Sequence, residues 1–353
     1  MAKINSSGNK SKTKPRAPVK NQAPKATDED NNRIKESQPQ LGAQVATGLK
    51  FAALEETKDY VKAIFWGREG SSKTTSAAHA TSLGPVLVIN AEAGLKLKAL
   101  QRQGVDTSKI AVYPDPNEEN TTIDYETLEA IYFQLKSDLM QDPNAWAAVV
   151  IDSVTEVAET LVGQATDNRV GRAEARAEQQ GIKFDDSVRW DTDRNDYGVM
   201  SKQFRDLLRK YRDLPCHLIL TALERRDVDE DTGQVAYGPA LSPGVQKEVL
   251  GYMDLVLYFK EAERETKNEP ARPYRAVTHN SGRYRSKDRY GLLPQVLVEP
   301  TFTRIHQYLQ EELTQEQDPL QQTPEPKEAP EPVKGKRKTK VEAAPQTETE
   351  NNE

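Results

Sequence analysis

Between residues 60 and 300 the chain alternates two kinds of patterning. Short apolar runs occur at 62–66, 86–90, 110–113, 146–151, 216–221, 254–259 and 273–278. Several are apolar at consecutive positions, as in Val86-Leu87-Val88-Ile89 and Val149-Val150-Ile151. That is the pattern of strands covered on both faces, as in a parallel sheet. Segments of helical spacing lie between them. Residues 125–139 place Tyr125, Leu128, Ile131, Tyr132, Leu135 and Leu139 on one side. Residues 197–211 do the same with Tyr197, Met200, Phe204, Leu207, Leu208 and Tyr211, and Asp196 is the expected N-cap. The other side of that second helix carries Lys202, Arg205, Arg209, Lys210 and Arg212, which reads as a solvated face. Strands alternating with helices predict an α/β fold with a mainly parallel central sheet flanked by helices. Residues 163–195 and 224–245 show neither period and are expected as long loops, which inside a compact domain are often functional.

Composition refines the boundaries. The chain has 353 residues, 36% hydrophobic and 29% charged, with a formal net charge of -6. Residues 1–47 hold nine basic and four acidic side chains and no aromatic; residues 314–353 hold six basic and nine acidic ones, many prolines and again no aromatic. Neither stretch can bury enough apolar surface to offset its chain entropy. The expectation is a disordered basic tail at 1–47, one domain at 48–313 and a disordered, charged, Pro-rich tail at 314–353. The basic run from Lys334 to Lys340 has acidic neighbours and reads as part of a solubilising tail. No apolar run approaches the 18 residues of a membrane span, and no apolar stretch follows the basic N-terminus as in a secretory signal. A single cysteine, Cys216, excludes an internal disulfide, and four histidines without ligand spacing give no zinc centre. A cytoplasmic location is expected. The acidic balance does not advertise nucleic acid, so any DNA contact has to be local.

The strongest chemical signal is Gly67-Arg68-Glu69-Gly70-Ser71-Ser72-Lys73-Thr74-Thr75, placed between an apolar run and a helix start rich in small residues. That context makes it a phosphate-binding loop: successive backbone N–H groups and a helix N-terminus surround the phosphates. Lys73 would reach the β- and γ-phosphates and Thr74 would hold Mg²⁺, so ATP and Mg²⁺ are the expected cofactors. The usual pattern has glycine where this chain has Ser72, and a serine-rich turn that binds nothing is the plainer alternative. Val149-Val150-Ile151-Asp152 is an apolar strand ending in a carboxylate. Expected beside the loop strand, it would let Asp152 serve the metal by holding a Mg²⁺-bound water, although Asp152, Ser153 and Thr155 also suit helix capping. Glu92 ends another run and would orient the attacking water if its strand flanks the loop strand; otherwise it is a surface acid.

The order of these segments, followed by "LILTA", "DLVLYF" and "SKDRYG", resembles the RecA-like core. The closer resemblance is to phage-encoded RecA-like P-loop ATPases of the AAA or Sak-type single-strand annealing kind, over roughly residues 60–310. That resemblance implies Glu92 as the water-activating acid and Thr221 as a polar sensor of the γ-phosphate. It implies Lys287 and Arg289 as basic groups projected across a subunit interface in a homo-oligomer, against the alternative of an ordinary basic turn. It also places single-stranded DNA against the two unassigned stretches, with Arg169, Arg172, Arg176, Arg225 and Arg226 on phosphates and Trp190 or Tyr237 stacking on bases. Acidic neighbours such as Glu174 and Asp227 dilute that field. The implied role is ATP hydrolysis on single-stranded DNA in phage recombination or replication, with replication or recombination proteins as further partners and no membrane. A nucleotide-binding adaptor that does not turn over, recruiting replication or packaging proteins through its tails, is the competing class.

Overall fold

The computed structural model describes residues 58–321, apart from 119–120, 229–232, 264, 266–269, 271–272 and the side chain of Trp190. The expected tail at 1–47, and residues 322–353 of the second expected tail, lie outside the described residues.

In chain order, β1 (Lys62–Gly67) leads through the phosphate loop into α1 (Lys73–Ala78), followed by β2 (Val86–Asn90), α2 (Leu97–Arg102) and β3 (Ile110–Tyr113). Next come α3 (Tyr125–Gln141), β4 (Ala148–Asp152), α4 (Val154–Gln180), α5 (Arg194–Arg212) and β5 (His217–Ala222). A hairpin of β6 (Glu224–Val228) and β7 (Val235–Pro239) precedes α6 (Pro243–Tyr252) and β8 (Leu255–Glu261). The last described elements are β9 (Tyr274–Val277), β10 (Lys287–Asp288), β11 (Val296–Val298) and α7 (Phe302–Leu309). The main sheet runs β11-β9-β8-β1-β5-β4-β2-β3, with β10 also on β8. From β8 to β3 all neighbours are parallel, while β9, β10 and β11 join antiparallel. The fold is therefore mixed α/β with a mostly parallel central sheet.

The two-residue period of a strand divides the core. Ile64 and Trp66 join Val149, Ile151, Leu218 and Leu220 beneath α3, α4 and α5, which supply Leu128, Leu161 and Phe204. Ala63 and Phe65 face the other way, with Val88, Val150 and Ile219, against Phe302 and Ile305 of α7. All six residues of β1 are buried. Fully burying one such apolar side chain contributes roughly 1.5–3 kcal/mol, which is why the central strands carry unbroken apolar runs.

The structure corrects several expectations. β4 does not lie beside β1: β5 separates them, with Ile64 opposite Leu220 and Ile219 opposite Val150. Most of 163–195 is helix rather than loop, because α4 runs to Gln180 and ends at Gly181 in the left-handed conformation, φ 63°. Its C-terminal half buries little more than Thr166, Val170 and Ala177. Alanine, glutamate, glutamine and arginine nonetheless favour helix there. Residues 224–245 form the hairpin and the start of α6. The N-cap of α5 is Asp193, and Asp196 is its capping-box partner, accepting from the Asp193 N–H at 2.9 Å. The basic face of α5 is partly paired, with Arg205 to Glu248 at 2.8 Å and Lys210 to Glu129 at 2.6 Å, while Lys202 and Arg209 are exposed as expected. Residues 314–321 extend the fold past the expected end at 313. There Asp318 is fully buried, ion-paired with Arg304, and accepts the Tyr308 hydroxyl at 2.6 Å.

Candidate nucleotide-binding site

β1 releases the chain at Gly67, where φ is 155° and an added Cβ would lie 2.2 Å from the Phe259 carbonyl oxygen. Only a residue without a side chain fits that approach. The loop then turns back on itself, and Ser72 takes φ 69°, ψ 16°, the left-handed conformation for which glycine is usual. Its hydroxyl makes no capping bond, while its carbonyl accepts from the Ser76 N–H at 2.9 Å as α1 begins. Lys73 is 7% exposed. Its ammonium donates to the carbonyls of Gly67 at 3.0 Å and Arg68 at 2.7 Å. Burial lowers its pKa, against the opposing pull of Glu92 and Asp152. The charge is thus tucked into the loop, where phosphate oxygens can replace the two carbonyls.

The acidic half of the site stands two strands away. Asp152 ends β4 and is 1% exposed. Thr74 Oγ1 donates to its Oδ2 at 2.8 Å, and Thr221, at the end of the intervening β5, donates to its Oδ1. Burial raises the Asp152 pKa, with those two hydroxyl bonds acting in the other direction. Glu92 reaches this group although β2 does not flank β1. Its main-chain N–H donates to the Asp152 carbonyl at 3.1 Å, and its carboxylate accepts the Ser153 hydroxyl. A cleft of about 280 Å³ joins the loop, Lys73, Thr74 and Glu92, and extends to Gln103, Leu223 and Tyr274. Sequence reasoning missed those last three residues, which lie far apart along the chain, and took Ser153 only for a helix cap.

The donor set fits magnesium. The Thr74 hydroxyl and the Asp152 carboxylate are hard oxygen ligands held together, and Mg²⁺ typically takes one or two protein oxygens and completes its shell with phosphates and water. Among the described residues no group of three or more His, Cys, Asp and Glu stands ready to hold a metal by itself.

The other candidates are not gathered here. Asp288 of β10 pairs with Leu255, which pairs with Ala63, so the 287–289 turn lies roughly four residues, about 13 Å, down the sheet from the loop. Lys287 donates to the Leu250 carbonyl at 2.6 Å. Arg289 binds Asp254 at 2.6 Å and the Gly251 carbonyl at 3.1 Å. Both cations thereby satisfy the C-terminal carbonyls of α6. Arg169 is held by Asp196 at 3.0 Å, and Arg225 by Asp227 and the Leu241 carbonyl, both at 3.1 Å. Tyr237 is already engaged, 5.8 Å from Tyr284 and under Arg283 at 5.5 Å. Arg172, Arg176 and Arg226 are exposed. The side chain of Trp190 lies outside the description.

A phosphate loop after a buried strand, with a lysine in its mouth and a hydroxyl on a buried carboxylate across the sheet, defines a P-loop NTPase. A family model described as an AAA domain matches residues 59–290, and the chain belongs to that family. A crystal structure of the RadB recombinase aligns at 14% identity over 68% of this chain and 89% of that one, with a TM-score of 0.38, a likeness too slight to support a function. A search of curated proteins finds no match. Among the described residues no helix is long and apolar enough to cross a membrane.

Proposed function

We propose that this protein is a magnesium-dependent, RecA-like ATPase whose hydrolysis is coupled to single-stranded DNA in recombination or replication, in a phage-encoded setting. The observation that carries the ATPase reading is the cleft lined by Lys73, Thr74 and Glu92, with Asp152 and Thr221 hydrogen-bonded behind Thr74. When bound by Thr74 and Asp152, magnesium would neutralise charge on the phosphates. Lys73 binds the terminal phosphates and Glu92 takes a proton from the attacking water; Thr221, implied as a γ-phosphate sensor, is fully buried with its hydroxyl on Asp152, and in this reading holds that carboxylate in place. The adaptor alternative would take Ser72 and the acidic loops as marks of a degraded site; the left-handed backbone of Ser72, the conformation usual for glycine, favours an intact loop instead.

In this proposal DNA meets the exposed Arg172, Arg176 and Arg226. Lys287 and Arg289, which lie down the sheet from the loop of their own chain, serve a neighbouring subunit in this reading. The test is ATP hydrolysis with and without a single-stranded oligonucleotide, for the wild type and Lys73→Ala. Hydrolysis that needs Lys73 and rises with DNA supports the proposal. A rate indifferent to both removes it.

A further inference from the structure

We propose that Ser153 is a positioning residue for Glu92, fixing the carboxylate that accepts the proton of the attacking water; the inference rests on the ATPase reading above. Glu92 sits in the turn after β2, exposed, on a long and flexible side chain. Two adjacent residues at the end of β4 clamp it. The Asp152 carbonyl takes its main-chain N–H at 3.1 Å, and the Ser153 hydroxyl donates to its Oε1. Ser153 is fully buried, and its oxygen accepts the Glu156 N–H at 3.4 Å as the N-cap of α4. The ionised carboxylate can only accept, so the hydroxyl hydrogen is directed at Glu92 while a lone pair of the oxygen takes the Glu156 N–H.

The turn itself is held under strain. Ala93 has φ 51°, a left-handed conformation rare for alanine, and donates to the Asn90 carbonyl at 3.3 Å. Such strain persists where the surroundings over-determine the backbone. One carboxylate oxygen of this cleft-lining residue is therefore tied down, which leaves Oε2 for the water. In the step this serves, the water oxygen bonds to the γ-phosphorus and the bond from that phosphorus to the β–γ bridging oxygen breaks. ADP leaves with the electron pair, and the water proton passes to Oε2. A misaimed acid slows this step without weakening nucleotide binding.

The experiment measures kcat and KM for ATP, and ATP affinity by calorimetry, in full-length wild type, Glu92→Gln, Ser153→Ala, Ser153→Thr and the Glu92→Gln/Ser153→Ala pair. Ser153→Ala is expected to lower kcat about 10- to 100-fold with KM and affinity within about twofold. Ser153→Thr should restore most of the rate, and the double variant should be no slower than Glu92→Gln alone. Should loss of the capping hydroxyl unfold Ser153→Ala, Ser153→Gly is tolerated at an N-cap and likewise has no hydroxyl to give, and is expected to show the same fall in kcat. A full rate in Ser153→Ala or Ser153→Gly, or an equal further loss in the Glu92→Gln background, overturns the proposal while leaving the ATPase reading intact. A Glu92→Gln variant at full speed overturns this proposal and the role of Glu92 alone, and a wild type that does not hydrolyse ATP overturns both this proposal and the ATPase reading.

Discussion

Replacing Ser72 with glycine separates the folding of the phosphate loop from its binding. The backbone there is left-handed, φ 69°, and the serine hydroxyl makes no capping bond in return. A left-handed residue with a Cβ costs roughly 1–2 kcal/mol, and the extra freedom of glycine in the unfolded chain gives back about 0.5–1 kcal/mol. Ser72→Gly should thus stabilise the protein by about 0.5–1 kcal/mol, which in a domain of this size raises Tm by about 1–4 °C. Because the strain is in the loop before any ligand arrives, ATP affinity should stay within about twofold of wild type. The assays are thermal unfolding in EDTA and calorimetric titration with MgATP. Ser72→Val provides the opposite sign, since a branched side chain tolerates positive φ worst. A lower Tm for the glycine variant would refute the reasoning. So would a tenfold change in affinity, which would mean that the hydroxyl itself touches the phosphates.

Three further outcomes follow from buried groups. Burial holds the Asp152 pKa above its ordinary value. Its protonated carboxyl therefore contributes stability, fully present below about pH 4, that is lost as pH rises through the folded value. Without metal, Asp152→Asn should gain on wild type as pH rises from 4 to 8 in urea titrations, while losing magnesium-dependent nucleotide binding; a wild type that gains instead contradicts the sign. His217 behaves oppositely. Burial, then the neighbouring His306 and Lys62, depress its pKa to about 4, and its Nδ1 accepts the Val61 N–H at 3.1 Å. Up to about 3 kcal/mol, present above pH 6.5, should drain away as pH falls toward 4, and His217→Asn should flatten that slope. Asp318→Ala strands Arg304 and the Tyr308 hydroxyl, and should destabilise by about 3–5 kcal/mol, as should ending the chain at residue 313; unchanged denaturation midpoints would show that 314–321 add nothing.

The elements of the sheet were legible because central parallel strands must be apolar on both faces, and each expected run became a strand with ends shifted by at most a few residues. The phosphate loop was legible because its chemistry is local: glycines, lysine and hydroxyl lie within nine consecutive residues and need only a strand before and a helix after. The helix α4 was hidden, since a buried stripe as thin as Thr166, Val170 and Ala177 resembles a polar loop. What tertiary structure alone decided was everything between elements. It placed β5 between β1 and β4, so that Thr221 meets Asp152. It brought Ser153 to Glu92 across 61 residues of chain, and sent Lys287 and Arg289 to the far end of the sheet. Periodicity records which face of a strand is buried and is silent on which strand lies next to it. That order is fixed only when the chain closes on a common core.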